Sequence, residues 1–318
     1  NELNLLLIKI FKVMLKGHPK GLIAAALSNM GERFGYYIMN AVLVLFLCSK
    51  FGLNDTTSAL IYSCFYCGIY ILSLAGGFIA DRTQNYKGTI QKGLMTMAAG
   101  YILLAIPITA TASNQAWLLP LTCFALFMIA FGNGLFKGNL QAIVGQMYDN
   151  FEAEAAKEGP EALKIAKDKR DSGFQIFYVF INVGGLIAPF VAPLLREWWL
   201  GVNEMVYNPA LPALCHQFLN DAAGMSTQAM ANLNEMMAAA GGNISDMAAS
   251  CANYLQIFNE GIHYSFIASV AAMLISLTIF ITNQKRFPTP AKKEKVESAS
   301  YTEEEKAAKL EEMKKDLA

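Results

Sequence analysis

Six long apolar runs, divided by short polar stretches, limit what this chain can become more than any other feature. They lie at about 21–48, 57–79, 93–111, 117–147, 174–195 and 262–282. Each is long enough, or nearly so, to cross a hydrocarbon core of about 30 Å as a helix. Only 16% of the residues are charged, against roughly 25% in ordinary soluble domains. The charges cluster between the runs, so the spacing predicts an all-α membrane protein with six transmembrane helices.

Lysine and arginine fall unevenly about those runs. Lys9, Lys12, Lys16 and Lys20 precede the first, and Arg82, Lys87 and Lys92 separate the second and third. Lys157, Lys164, Lys167, Lys169 and Arg170 separate the fourth and fifth, and Lys285, Arg286, Lys292, Lys293 and Lys295 follow the sixth. The opposite side has only Lys50 and Arg196. Basic residues accumulate on the cytoplasmic side, which predicts both termini there. Five segments follow. Residues 1–20 form an amphipathic segment on the inner leaflet, and 21–195 hold the first five spans. Residues 196–261 form an extracytoplasmic insertion, 262–283 the sixth span, and 284–318 a cytoplasmic linker.

The insertion has no lysine or arginine after Arg196, and its "MANLNEMMAAAGG" predicts a helix. It contains Cys215 and Cys251, a candidate disulfide in an oxidising compartment, or else two free thiols. Cys64 and Cys67 have redox spacing but sit in an apolar run, where cysteine packs as a small side chain. His18, His216 and His263 form no metal-ligating cluster, and no phosphate-binding loop or nucleophile–base pair is recognisable. We therefore expect no cofactor, no metal and no enzyme. A net charge of zero gives no reason to expect a nucleic-acid partner.

Within the first run the only charges are Glu32 and Arg33, in "GERFGYY". A charged side chain at mid-bilayer costs about 2.5–3.5 kcal/mol on insertion scales, so the pair must face protein or a wet cavity. Asn29, Arg33, Tyr36, Tyr37 and Asn40 share one helical face. Gly31 and Gly35 would let another helix approach closely. A pair that only fixes helix packing is the alternative. Lys137 lies in the fourth run, roughly 18 Å along a helix from the next charge at Asp149. It either faces inward beside Gly132, Gly134 and Gly138 or snorkels to the interface. Asn182 is a third polar group near the middle of a span. Gly77, Asp81 and Arg82, in "GGFIADR", close the second run, where a charge contact between neighbouring helix ends could hold one conformation.

Four stretches, in order, resemble a known family. "GGFIADR" resembles the loop motif of the major facilitator superfamily. "NMGERFGYY" is similar to the ExxERFxYY signature of the proton-dependent oligopeptide transporter family. "GNGLFKGNLQAIVGQMYD" and "RDSGFQIFYVFINVGGLIAP" resemble that family's fourth- and fifth-helix motifs, with KGN in place of the usual KPN. The match runs from about Leu15 to Lys285. The resemblance implies the N-terminal six-helix bundle of a multi-pass inner-membrane symporter that takes up di- and tripeptides with protons by alternating access. It implies that Glu32 and Arg33 couple protons. It also implies that Arg33, Tyr36, Tyr37, Asn40, Tyr70, Lys137 and Asn182 line the substrate pocket. The expected partners are small peptides, protons, the lipid bilayer and a C-terminal six-helix bundle. The chain opens without methionine and ends in a polar, helix-like stretch, which predicts a piece of a longer protein.

Asn29 stands where the signature has its first glutamate, and it cannot take up a proton. That departure leaves two other readings open. One is a transporter of the same fold for another small anion or peptide-like solute, with altered proton coupling. The other is a non-transporting scaffold or sensor that uses residues 196–261 to bind a partner.

Overall fold

The computed structural model describes residues 16–111 and 113–289. The expected amphipathic start and the cytoplasmic linker therefore fall largely outside the described residues. Eight α-helices occur among those described. They are α1 (Leu22–Phe51), α2 (Asp55–Thr83), α3 (Tyr86–Ala105), α4 (Gln115–Glu158), α5 (Pro160–Val202), α6 (Leu211–Asp221), α7 (Thr227–Ala239) and α8 (Met247–Thr282). No strand is found among these residues.

Local chemistry sets several boundaries. Gly52 ends α1 at φ +64°, a left-handed conformation that glycine adopts without a Cβ penalty, and its N–H bonds Cys48 O at 3.0 Å. Asn54 and Asn85 cap α2 and α3 by accepting from Thr57 N at 2.8 Å and Gly88 N at 3.0 Å. The third apolar run was expected to remain helical to Thr111, but α3 stops at Ala105. Pro107 explains the shortfall: the residue before a proline is pushed out of the α region, and Ile106 is extended at ψ 119°.

The six expected spans correspond to α1–α5 and α8. Five are long and apolar enough to cross a membrane; the exception is α3, whose 20 residues begin with Tyr86 and Lys87. Helix α4 has 44 residues, about 66 Å at 1.5 Å per residue, so it extends well past a 30 Å core. Its protruding end is tied to α5 by Arg170, which donates to Asp149 at 2.6 Å and Glu152 at 3.2 Å.

Helix α1 packs against α5 and α8, α4 packs against α2 and α3, and α3 also touches α8. Small residues decide where backbones meet. A Cβ built on Gly76 (α2) would stand 2.1 Å from the carbonyl oxygen of Gly134 (α4). A Cβ on Gly132 (α4) would stand 2.6 Å from Gly93 O (α3). Gly31 and Gly35 admit α8 as expected: a Cβ built on them would stand 3.3 Å from Ala272 O and 3.1 Å from Ser269 O, respectively. Gly138, expected to make a similar contact, faces open space. Ser28 and Ser276 exchange hydrogen bonds across the α1–α8 seam, and Ser269 donates to Gly35 O at 2.9 Å.

The insertion is helical and lies on the bundle. Helix α7 contains the Met- and Ala-rich stretch, and α8 begins inside the insertion and runs on into the sixth span. Arg196 anchors it. Its guanidinium lies 3.7 Å from the centroid of the Tyr207 ring, which stacks on Phe258 at 5.8 Å. Tyr254 OH accepts from Asn208 N at 2.9 Å, pinning the same loop. A desolvated cation–π contact contributes about 2 kcal/mol. Arg196→Ala is therefore expected to speed chymotryptic cleavage after Tyr207 by roughly an order of magnitude, as read by limited proteolysis in detergent. An unchanged cleavage rate would mean that the loop is held by other contacts.

Cys215 and Cys251 are buried as free thiols that hydrogen-bond to each other. That hydrogen bond, and then burial, push the Cys215 thiol well above its ordinary range.

Candidate functional site

The polar face of α1 begins with an ion pair between consecutive residues. Glu32 and Arg33 are 0% and 7% exposed. Neighbours on a helix point about 100° apart, so the longer arginine must bend back to reach its partner. Arg33 Nε donates to Glu32 Oε2 at 2.5 Å and Nη2 to Oε1 at 2.7 Å. The two-pronged geometry fits a planar guanidinium on a carboxylate. Asn133 of α4 adds a third hydrogen bond, donating from Nδ2 to Glu32 Oε1 at 2.7 Å. An uncompensated charge at this depth would be expensive, and three charge-assisted hydrogen bonds offset that cost.

The aromatic residues continue the face outward. The Arg33 guanidinium lies 4.8 Å from the centroid of Tyr36, which meets Tyr37 edge-on at 5.3 Å and stacks on Phe65 of α2 at 6.4 Å. On α2, Tyr62, Tyr66 and Tyr70 follow one another at one-turn spacing, and the Tyr66 and Tyr70 hydroxyls are 3.1 Å apart. Lys137 of α4 places its Nζ 5.4 Å from the Tyr70 ring centroid. It is half-buried, and the charges of both Arg33 and Glu32 act on it. Lys137 thus faces the tyrosines of α2, from the helix that also carries Asn133.

The remaining expected residues sit as follows. Asn40 lies on the same face of α1, with its Oδ1 buried and without a protein partner. Tyr37 is half-buried and Tyr70 is 53% exposed. Asn182 is exposed on α5. At the end of α2, Asp81 accepts a hydrogen bond from Tyr86 OH at the start of α3, which does join neighbouring helix ends. The partner is a neutral phenol, and Arg82 is exposed, in none of the ion pairs seen among the described residues. A Cβ placed on Gly77 would meet nothing within 4 Å, whereas the adjoining Gly76 is the close-packed residue.

Two contributors escaped the sequence reading. Asn133 was legible in principle, because it lies one turn before Lys137 and so shares its face of α4. Tyr101 of α3 is fully buried, with its hydroxyl unpartnered, in the same core as Tyr36. As a lone tyrosine in an apolar run it gave no signal. No cluster of three or more metal-ligating side chains occurs among the described residues.

The arrangement can do two things. A carboxylate held by an arginine and an asparagine can exchange that arginine for a proton, since protonation removes the charge that holds it. Two cations near one aromatic wall can hold an anion between them.

Comparisons with known proteins bear on the family and the fold. A family model described as the POT family matches residues 87–303. The chain is 33% identical over 186 residues to the uncharacterized transporter YclF of Bacillus subtilis (strain 168), covering 57% of this chain and 33% of that protein. It is 31% identical over 194 residues to a di-/tripeptide transporter of Lactococcus lactis subsp. lactis (strain IL1403), covering 59% and 34%. The chain thus spans about a third of the length of these relatives. The fold resembles a crystal structure of a mutant of the peptide transporter POT in complex with sulfate, with TM-score 0.54 and 23% identity, over 95% of this chain and 45% of that one. The family model takes in more than half of the residues: the chain belongs to the POT family.

Proposed function

We propose that this chain is the N-terminal bundle of a proton-coupled importer of di- and tripeptides, working by alternating access together with a second six-helix bundle. The observation that carries this reading is the buried Glu32–Arg33–Asn133 cluster, with a second cation, Lys137 of α4, against the Tyr70 ring. A peptide carboxylate would bind between Arg33 and Lys137, with Tyr36 and Tyr70 as its aromatic wall. Protonation of Glu32 would free Arg33 for that carboxylate, which links the proton to the substrate. Because Asn29 cannot titrate, Glu32 alone would serve this end of the relay.

Exposed apolar surface supports a second bundle. Helices α2 and α5 leave most of their apolar surface uncovered, whereas α1 and α4 are mostly buried. Leu74 and Phe78 on α2, and Leu186 and Phe190 on α5, are each more than 60% exposed. Such faces support contact with another bundle in addition to lipid. On this reading both termini are cytoplasmic and the insertion faces an oxidising compartment. The contact between Cys215 and Cys251 supports a disulfide there.

Uptake of a labelled dipeptide by the two-bundle transporter in vesicles tests the proposal. A pH gradient, acid outside, is expected to drive accumulation. Glu32→Gln is expected to abolish accumulation while leaving exchange of substrate across the membrane. A Glu32→Gln protein that still concentrates dipeptide would place proton coupling elsewhere.

A further inference from the structure

A cavity lies at the end of the bundle that carries the insertion, far along α1 from Glu32 and Arg33. Its volume is about 370 Å³, within the range of small-molecule sites. The end of α1, the loop after α3, α6 and the insertion part of α8 together enclose it. Phe51, Ile108, Leu219 and Leu255 give it apolar walls. Thr109, Leu219 and Asn220 are exposed, so it can be reached from outside.

Its distinctive group is Lys50. The side chain is 6% exposed and lines the cavity, with Nζ 4.9 Å from the Phe46 ring centroid and 5.9 Å from that of Phe51. Its one hydrogen-bond partner among the described residues is His263, whose Nε2 is 3.2 Å away. His263 Nδ1 lies 2.8 Å from Leu104 O, a carbonyl that can only accept. Nδ1 therefore holds the imidazole proton, and Nε2 receives a hydrogen bond from the ammonium. A neutral imidazole uses one of three N–H groups and none of the charge. Among the described residues no carboxylate forms an ion pair with Lys50. A buried ammonium is normally compensated by an anion.

Glu260 also faces the cavity, but its oxygens are engaged by Trp199 Nε1 at 3.1 Å and Gln256 Nε2 at 3.0 Å. Its charge repels a multiply charged ligand, and the apolar walls offer nothing to a bare halide. We infer that this cavity binds the carboxylate of a small organic monoanion, with Lys50 as its counter-ion and α6 of the insertion as one wall. The insertion thereby acquires a role as part of a ligand site. The inference does not depend on peptide transport at the central cluster.

The test uses the 318-residue chain in detergent, with Lys137→Ala introduced to weaken anion binding at the central cluster, and the Lys50 and Leu219 variants tell its remaining Arg33 from the cavity. Sodium butyrate is the probe, and butyramide and sodium chloride at equal concentration are the controls. Butyrate is expected to raise the unfolding temperature in a saturable way, and butyramide and chloride are not. Adding Lys50→Met should weaken apparent butyrate affinity at least about tenfold, the loss expected for a charge-assisted hydrogen bond. Leu219→Trp keeps Lys50 and fills the cavity from the insertion side; it should remove the butyrate effect without lowering the unfolding temperature of the ligand-free protein. Absence of stabilisation, an equal effect of chloride, or full stabilisation in both variants would each overturn the assignment.

Discussion

Arg33→Ala in the two-bundle transporter is expected to reduce dipeptide uptake by at least about a hundredfold while the protein still inserts and purifies. Two losses combine. The substrate carboxylate loses a charged partner in a low-dielectric site, and removing one member of a desolvated charge pair typically costs about 2–5 kcal/mol. Glu32 also loses two of its three hydrogen bonds, leaving only Asn133 at 2.7 Å. Leaving a buried carboxylate without its arginine also lowers the stability of the bundle, and no change of pH restores the missing guanidinium. Uptake by Arg33→Ala should therefore be low at every pH, unlike a simple shift of the pH optimum. Lys137→Ala is expected to lose uptake as well, with less effect on stability, because Lys137 is only half-buried and rests on Tyr70. Uptake at the unmodified rate by either variant would separate these cations from the substrate.

Gly76→Val is the substitution with the largest expected effect on the bundle itself. The new Cβ would stand 2.1 Å from Gly134 O and 2.5 Å from Gly134 C, and both are backbone atoms that cannot swing away. Helices α2 and α4 would have to separate. That would also break the hydrogen bond from Asn139 Nδ2 to Gly76 O at 3.1 Å. Overpacking costs about 1–3 kcal/mol where a core can adjust, and more where backbone is struck. Gly76→Val protein in detergent should unfold well below the parent, whereas Gly77→Ala, next to it with open space beyond, should match the parent. Equal unfolding temperatures for Gly76→Val and the parent would show that α2 and α4 are not in backbone contact there.

On the proposed reading, the same face of α1 joins transport to stability. The ion pair is buried between α1 and α4, and its aromatic continuation reaches the surface of α2 and α4. Any movement between these helices changes what Arg33 and Lys137 can reach. The close glycine contacts hold α4 to α2 and α3, so movement is more easily accommodated at the exposed faces of α2 and α5. These are the faces assigned to the second bundle.

The number of long helices, their approximate ends and the unusual charges were legible because each is a property of one segment. Apolar length, a 3.6-residue period and an isolated Glu–Arg pair need no knowledge of other segments. Contacts between segments were not legible. Gly132 and Gly138 both looked suited to close packing, yet one meets α3 and the other faces open space. Asn182 was singled out as a polar residue within a span and Asn133 was not, yet only Asn133 reaches Glu32. Lys50 and Arg196 read as stray charges at the ends of spans, and both proved to be buried among aromatic rings. Periodicity fixes which side chains share a face of one helix. Which faces meet depends on how residues more than a hundred positions apart pack in three dimensions, and only the tertiary structure decided that.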